Sequence, residues 1–209
     1  MSDLLPLFPL PNVVLFPHVF LPLHVFEPRY REMVADALEG DRMIGMVLLR
    51  SGWDQDYEGR PPIYQIGCSG VLTHTELLPD GRYNLVLRGI ERFRIVEEDD
   101  ARSYRRAAIE PLVERPLNDV DRAVIQQQRS KIEAMLGANQ AGAGEARMPA
   151  SMSDEDVVNA LAQYLDLEAL EKQALLEQPG LRSRAESLVE LLEMKVMTAR
   201  TPGHQGVAH

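Results

Sequence analysis

The sequence predicts an α+β fold: a β-rich lobe holding one helix, followed by a small α-helical bundle. Three observations predict it. From Leu4 to Phe26 the chain is apolar, with no formally charged residue between Asp3 and Glu27, yet prolines interrupt it throughout. From Met43 to Val113, short alternating or β-branched runs are separated by Gly- and Pro-containing turns. From Asn118 onward the apolar residues recur at helical spacing, after a change of composition near Arg115-Pro116.

An apolar run as long as the first one suggests a membrane span. Pro6, Pro9, Pro11, Pro17 and Pro22 reject it, because each interior proline costs a helix about 3 kcal/mol. The same prolines lack a ladder donor, which argues against a regular central strand. What remains is short extended segments joined by bends, their Leu, Val and Phe side chains hidden in a β-rich core.

Pro28 suits the first position of a helix that begins near Glu27. Tyr30, Met33, Val34, Ala37 and Leu38 form its apolar face, and Gly40 is a natural stop. Met43–Leu49 reads as a buried strand, and residues 51–62 as a polar surface loop. Ile63–Thr75 reads as one long or bent strand, with Gly67 and Gly70 as bulges or points of close approach. The Leu78-Pro79-Asp80-Gly81-Arg82 segment has hairpin chemistry, and Asn84–Val96 is its return strand. Ala107–Val113 is a last short strand. The acidic run Glu97-Glu98-Asp99-Asp100 reads as a solvated loop.

In the second half, Asn118–Leu136 is helical. Gly137–Ser151 is small and polar, and reads as a mobile loop. Ser153 and Asp156 resemble a capping box ahead of a helix with Val157, Ala160, Leu161, Tyr164 and Leu165 on one face. Helices are expected over about Leu167–Glu177 and along Ala185, Leu188, Leu192, Val196 and Ala199. The expected organisation is a β-lobe at 1–117, a helical lobe at 118–200 and a frayed tail at 201–209.

The net charge is −10. Residues 1–117 carry 13 Arg and no Lys against 18 Asp and Glu, a balance of −5, and residues 118–209 supply the other −5. Neither half is a basic nucleic-acid footprint. One cysteine, Cys68, forms no internal disulfide and points to a reducing compartment. The N-terminus has no basic region before its apolar run, so the protein is expected in the cytoplasm and not in a membrane.

The segment PLFPLPNVVLFPHVFLPLHVFEPRYR resembles the opening of the Lon protease N-terminal substrate-recognition domain. Ile66-Gly67, Pro79-Asp80-Gly81-Arg82 and Gly89-Ile90-Glu91-Arg92-Phe93-Arg94-Ile95 continue that resemblance in order. It spans residues 4 to 112 well and the helical remainder loosely. Cys68 departs from it, standing where the family more often has a small hydroxyl or aliphatic residue. The resemblance implies a PUA-like pseudo-β-barrel followed by helices, here as a stand-alone recognition module. Its expected partners are unfolded or misfolded protein segments, and also the full-length Lon protease. A PUA-like lobe also leaves RNA binding as an alternative, kept open by Arg88, Arg92, Arg94, Arg105 and Arg106 and opposed by the negative charge.

No chemistry is expected. The phosphate-binding GxxxxGK[ST] loop is absent. Ser130 and Lys131 are adjacent on a helix and point about 100° apart, so they do not form a dyad. The five histidines show no metal-ligand spacing, and no cofactor or metal is expected. His24 reads as a hydrogen-bonded structural histidine and Cys68 as a small core residue. Two features suit peptide binding. One is the proline-fixed bend holding Phe16, His18 and Phe20, whose alternative reading is that Phe16 and Phe20 close the core. The other is the aromatic pair Trp53 and Tyr57 in the polar loop. Glu27 is expected at the helix start, pairing with Arg29 or Arg92.

Overall fold

A computed structural model describes residues 4–57, 59–139 and 152–200. The elements are β1 (Leu5–Leu10), β2 (Phe20–Val25), α1 (Pro28–Glu39), β3 (Met43–Leu48), a 3-10 turn (Trp53–Asp56), β4 (Ile66–Leu77), β5 (Tyr83–Asp99) and β6 (Arg105–Pro111). Four helices follow: α2 (Asp119–Asn139), α3 (Asp154–Tyr164), α4 (Ala169–Leu176) and α5 (Leu181–Arg200). The class is α+β, as the sequence predicts. The chain divides into two compact units, Met1–Arg115 with Asn159–Gln178, and Pro116–Val158 with Pro179–His209.

The first unit is built on one sheet in the order β2-β5-β4-β3-β1-β6. Its long strand β5 also pairs with β6, through Phe93 to Asp99, so five strands close into a ring. The other half of β5, Tyr83 to Arg88, carries β2. β2 has a neighbour on one side only along its whole length. The core gathers Leu5, Leu7, Val47, Leu49, Ile63, Phe93, Ile95 and Ala107. Tyr30, Met33, Val34 and Ala37 turn the predicted face of α1 inward, and Tyr30 meets Phe8 with ring centroids 4.6 Å apart.

The prolines do not keep β1 out of the sheet interior. It lies between β3 and β6 despite Pro6 and Pro9. The reason is that its two ladders scarcely overlap. Leu7–Leu10 pair with β3 in parallel, Leu5–Leu7 pair with β6 antiparallel, and only Leu7 belongs to both. Each proline therefore has one neighbour, and its missing donor faces the side without a ladder. Pro22 sits on the free-edge strand, where a proline is tolerated.

Close approach explains the glycines of the sheet. A Cβ at Gly67 would lie 2.4 Å from the Met46 carbonyl oxygen, and one at Gly89 would lie 2.1 Å from that of Phe16. The ladder shifts register at Ser69/Gly70 and again at Leu72/His74. Ile63 lies outside β4 and makes a separate bridge to Leu49. The acidic run is no loop: Glu97–Asp99 end β5, with Glu98 3.7 Å from Arg105 and Asp99 bound by Arg106.

In the second unit α2 packs along α5, with Ile125, Val158, Leu181 and Ala185 as its apolar centre. Arg182 pairs with Asp121 at 3.2 Å, and Arg129 pairs with Glu133 at 3.3 Å. Ser153 caps α3 by accepting the Asp156 amide at 3.1 Å, while its hydroxyl donates to the Asp156 carboxylate at 2.7 Å. The mobile loop expected at 137–151 falls, from residue 140 on, outside the described residues. So does the tail at 201–209.

Candidate functional site

Along β2 the side chains alternate, and the alternation sorts them by chemistry. Leu21, Leu23 and Val25 turn toward the protein, whereas Phe20, Pro22 and His24 are exposed, and Phe26 continues the outer row. Phe20 is 50% and Phe26 60% exposed. A strand advances about 3.3 Å per residue, so the row runs about 20 Å, the reach of a short extended peptide.

Both ends of the row are built. At the first, the Tyr164 hydroxyl of α3 donates to the Phe20 carbonyl at 3.0 Å, and the Tyr164 ring is itself 66% exposed. At the other, His24 and Phe26 lie with ring centroids 6.3 Å apart. His24 is fixed by Asn84, Nδ1 to Oδ1 at 2.8 Å, and Asn84 in turn donates to Glu76 at 3.0 Å. Beyond Phe26 a hollow of about 570 Å³ opens, walled by Phe26, Glu27, Arg29, Glu32 and Tyr57.

Glu27 does not cap α1 with its side chain. It accepts a hydrogen bond from the Tyr57 hydroxyl and pairs with Arg29 at 3.1 Å. Arg29 donates to the Tyr57 carbonyl at 3.1 Å and lies 5.0 Å over the Tyr57 ring. The Phe26–Arg31 motif thus anchors the loop that follows the 3-10 turn. Burial, followed by the bond to the Glu27 carboxylate, raises the Tyr57 pKa above that of a free tyrosine. Arg92, the other partner considered for Glu27, is buried elsewhere, pairing with Glu114 at 2.9 Å and donating to the Leu176 carbonyl at 2.8 Å.

The expected site residues separate into three groups. Phe16 is fully buried and takes no part in any surface. His18 and Phe20 are exposed, and the His18 backbone is left-handed (φ 65°), holding the bend that leads into β2. Trp53 and Tyr57 meet edge to face at 5.4 Å and pack on the core, and of the two only Tyr57 lines the hollow. Two exposed aromatics were not among the expectations. Phe26 shares the parity of Phe20, a signal legible in the sequence. Tyr164 was assigned to the apolar face of α3. That helix instead buries Val157, Val158 and Ala162 together with the amides Asn159 and Gln163, and turns Tyr164 out. Among the described residues, no group of three or more His, Cys, Asp or Glu is placed to hold a metal ion, and no helix is long and apolar enough to cross a membrane.

The family described as the ATP-dependent protease La (LON) substrate-binding domain matches residues 4–194. The chain belongs to this family. It is 27% identical over 197 residues to Lon protease 2 of Myxococcus xanthus, covering 92% of this chain and 24% of that protein. It is 31% identical over 206 residues to Lon protease 2 of Desulfotalea psychrophila, covering 95% of this chain and 26% of that one. The domain thus spans about a quarter of the length of these curated relatives. The fold is shared with the N-terminal domain of the Mycobacterium avium complex Lon protease, with a TM-score of 0.68 at 17% identity, covering 91% of this chain and 98% of that one. The Lon N-terminal domain protein from Xanthomonas campestris matches with a TM-score of 0.57 at 24% identity, covering 96% and 99%.

Proposed function

We propose that this domain is a non-catalytic, Lon-type recognition module that holds unfolded or misfolded protein segments against the outer row of β2. In this reading it serves protein quality control and presents its clients to a Lon protease. The observation that carries the reading is the aromatic row itself. Phe20 is half exposed on β2, Phe26 is more exposed just past it, and Tyr164 adds a third exposed ring. Large apolar side chains left in water in this way mark interaction surfaces. Apolar side chains of an unfolded segment would cover them, and a folded protein would not offer such side chains. Pro22 and the Tyr164–Phe20 bond blunt the backbone edge, so the side chains rather than added strand pairing supply the affinity.

Nucleic acid is disfavoured by where the arginines go. Arg92 and Arg105 are buried and Arg106 is paired with Asp99, leaving Arg88 and Arg94 of the five considered.

The test is a fluorescence-anisotropy titration of the purified chain into a labelled unfolded protein and its folded control. Saturable binding to the unfolded form alone is expected, weakened at least tenfold by Phe20→Ala combined with Phe26→Ala. Binding that ignores both substitutions would reject this surface, and no binding up to high micromolar concentration would reject the function.

A further inference from the structure

A second concavity lies on the same unit beside the hollow past Phe26, sharing Arg29 and Tyr57 with it as walls, and its chemistry is unlike that of a peptide groove. It encloses about 230 Å³, and its described lining includes four guanidinium groups, Arg29, Arg60, Arg102 and Arg105, and no carboxylate. Arg29 and Arg102 are balanced from outside the cavity, by Glu27 at 3.1 Å and by Asp36 at 3.5 Å. Arg105 and Arg60 are not well balanced. Arg105 is buried, and its one ion-pair partner among the described residues, Glu98, stands 3.7 Å away. Arg60 has no carboxylate within salt-bridge distance among the described residues and reaches only the Asp99 carbonyl, at 3.4 Å. Tyr30, buried between Arg29 and the core, also lines the cavity, and its hydroxyl makes no hydrogen bond among the described residues.

Grouped positive charge that is partly removed from water is costly unless an anion joins it. Burial lowers the Arg105 pKa, and the nearby charges of Arg60 and Arg29 lower it further, although Glu98 acts in the opposite sense. An anion in the cavity would relieve both effects. Arg105 and Arg60 donate to carbonyls, of Pro61 at 2.7 Å and of Asp99 at 3.4 Å, and their remaining N–H groups with the Tyr30 O–H form a donor set that matches a compact group presenting several oxygens. The two poorly balanced arginines, Arg60 and Arg105, exceed what a single carboxylate needs and suit a group carrying two charges.

We propose that this cavity is a phosphate-binding site, taking inorganic phosphate or pyrophosphate, or the terminal phosphates of a small phosphate ester. Arg60 and Arg105 supply the charge, and the Tyr30 hydroxyl donates to one phosphate oxygen.

The experiment is isothermal titration calorimetry of the intact chain at low salt, with inorganic pyrophosphate as the probe. ADP is a second arm, and citrate at matched ionic strength a third. One saturable pyrophosphate site is expected, weakened at least tenfold by Arg60→Gln, an exposed position whose loss leaves the fold intact. Tyr30→Phe, which removes only the hydroxyl, is expected to weaken it several-fold without lowering the melting temperature of the free protein. Tighter binding of ADP than of pyrophosphate would identify an ester as the ligand, and equal binding would identify the free anion. No saturable heat at millimolar pyrophosphate, indifference to Arg60→Gln, or equally tight citrate would overturn the assignment. Client binding measured on the same variants separates this site from the aromatic row, since Arg60→Gln leaves Phe20 and Phe26 untouched.

Discussion

Gln163 holds the loop of Phe16 by both ends of one amide. Its Oε1 accepts the Phe16 N–H at 3.2 Å, and its Nε2 donates to the Val14 carbonyl at 2.9 Å, across 147 and 149 residues of sequence. All of these groups are buried, so water cannot replace the amide. Gln163→Leu keeps the volume and strands two backbone groups at about 1–3 kcal/mol each. A loss of about 2–4 kcal/mol in urea unfolding is expected.

Gly89→Ala is expected to destabilise by about 1–3 kcal/mol. The new methyl would meet backbone, the Phe16 carbonyl at 2.1 Å, which cannot swing aside. His18 and Val19 bind Gly89 through two hydrogen bonds of 2.9 Å and hold the bend before β2 against β5. Gly40→Ala is the contrasting case. Its nearest neighbour would stand 3.6 Å off, an ordinary contact, so thermal unfolding of that variant should come earlier by less than that of Gly89→Ala.

Exposed and half-buried aromatics should part company on stability. Phe20→Ala and Phe26→Ala remove side chains that are half or more in water already, and are expected to shift stability by less than about 1 kcal/mol. Trp53→Ala removes a ring packed on the Leu49 and Ile63 cluster, and is expected to cost about 2 kcal/mol or more. Denaturation midpoints of the three variants check the ordering.

Alkaline pH should weaken the fold in a defined window. Burial, aided by the hydrogen bond to Asp36 at 2.6 Å, raises the Tyr104 pKa to about 12 from its model-compound value of 10.0. The folded state therefore favours the protonated phenol. This contribution is fully present below pH 10 and is lost as pH rises through 12. Tyr30 shifts in the same direction, chiefly by burial. An absorbance titration of the six tyrosines should show three ionising late, Tyr30, Tyr57 and Tyr104, and Tyr104→Phe should remove part of the stability loss between pH 10 and 12.

The sheet and α1 were legible because their signals are local: period-2 runs, a proline at the helix start and the Asp80-Gly81 turn. The position of β1 was not, because where a proline stands in a sheet depends on which strands reach it from each side. The face of α3 was misread for a related reason. Hydrophobic periodicity places amides on the wet side, yet Gln163 is buried because a loop near the other end of the chain needs its two hydrogen-bonding ends. The paired fates of Arg92 and Glu27 likewise depend on carbonyls and carboxylates brought in by distant segments. For the site, the parity of Phe20 and Phe26 was on the page, while the exposure of Tyr164 followed from the rotation of α3. The arginine cavity drew on residues 29, 60 and 105, which no motif connects.

The return of Asn159–Gln178 to the β-rich unit has a consequence for synthesis. A ribosome releases the strands first, but Phe16 and Arg92 wait for partners made much later: Gln163, Leu176 and Gln178. The barrel therefore cannot close its polar shell until about 180 residues have emerged, which at about 5–20 residues per second is many seconds of exposure. The β-rich unit is thus unfinished until well after its last strand has been made. A transcript truncated after Arg115 should yield strands that aggregate rather than a smaller working barrel.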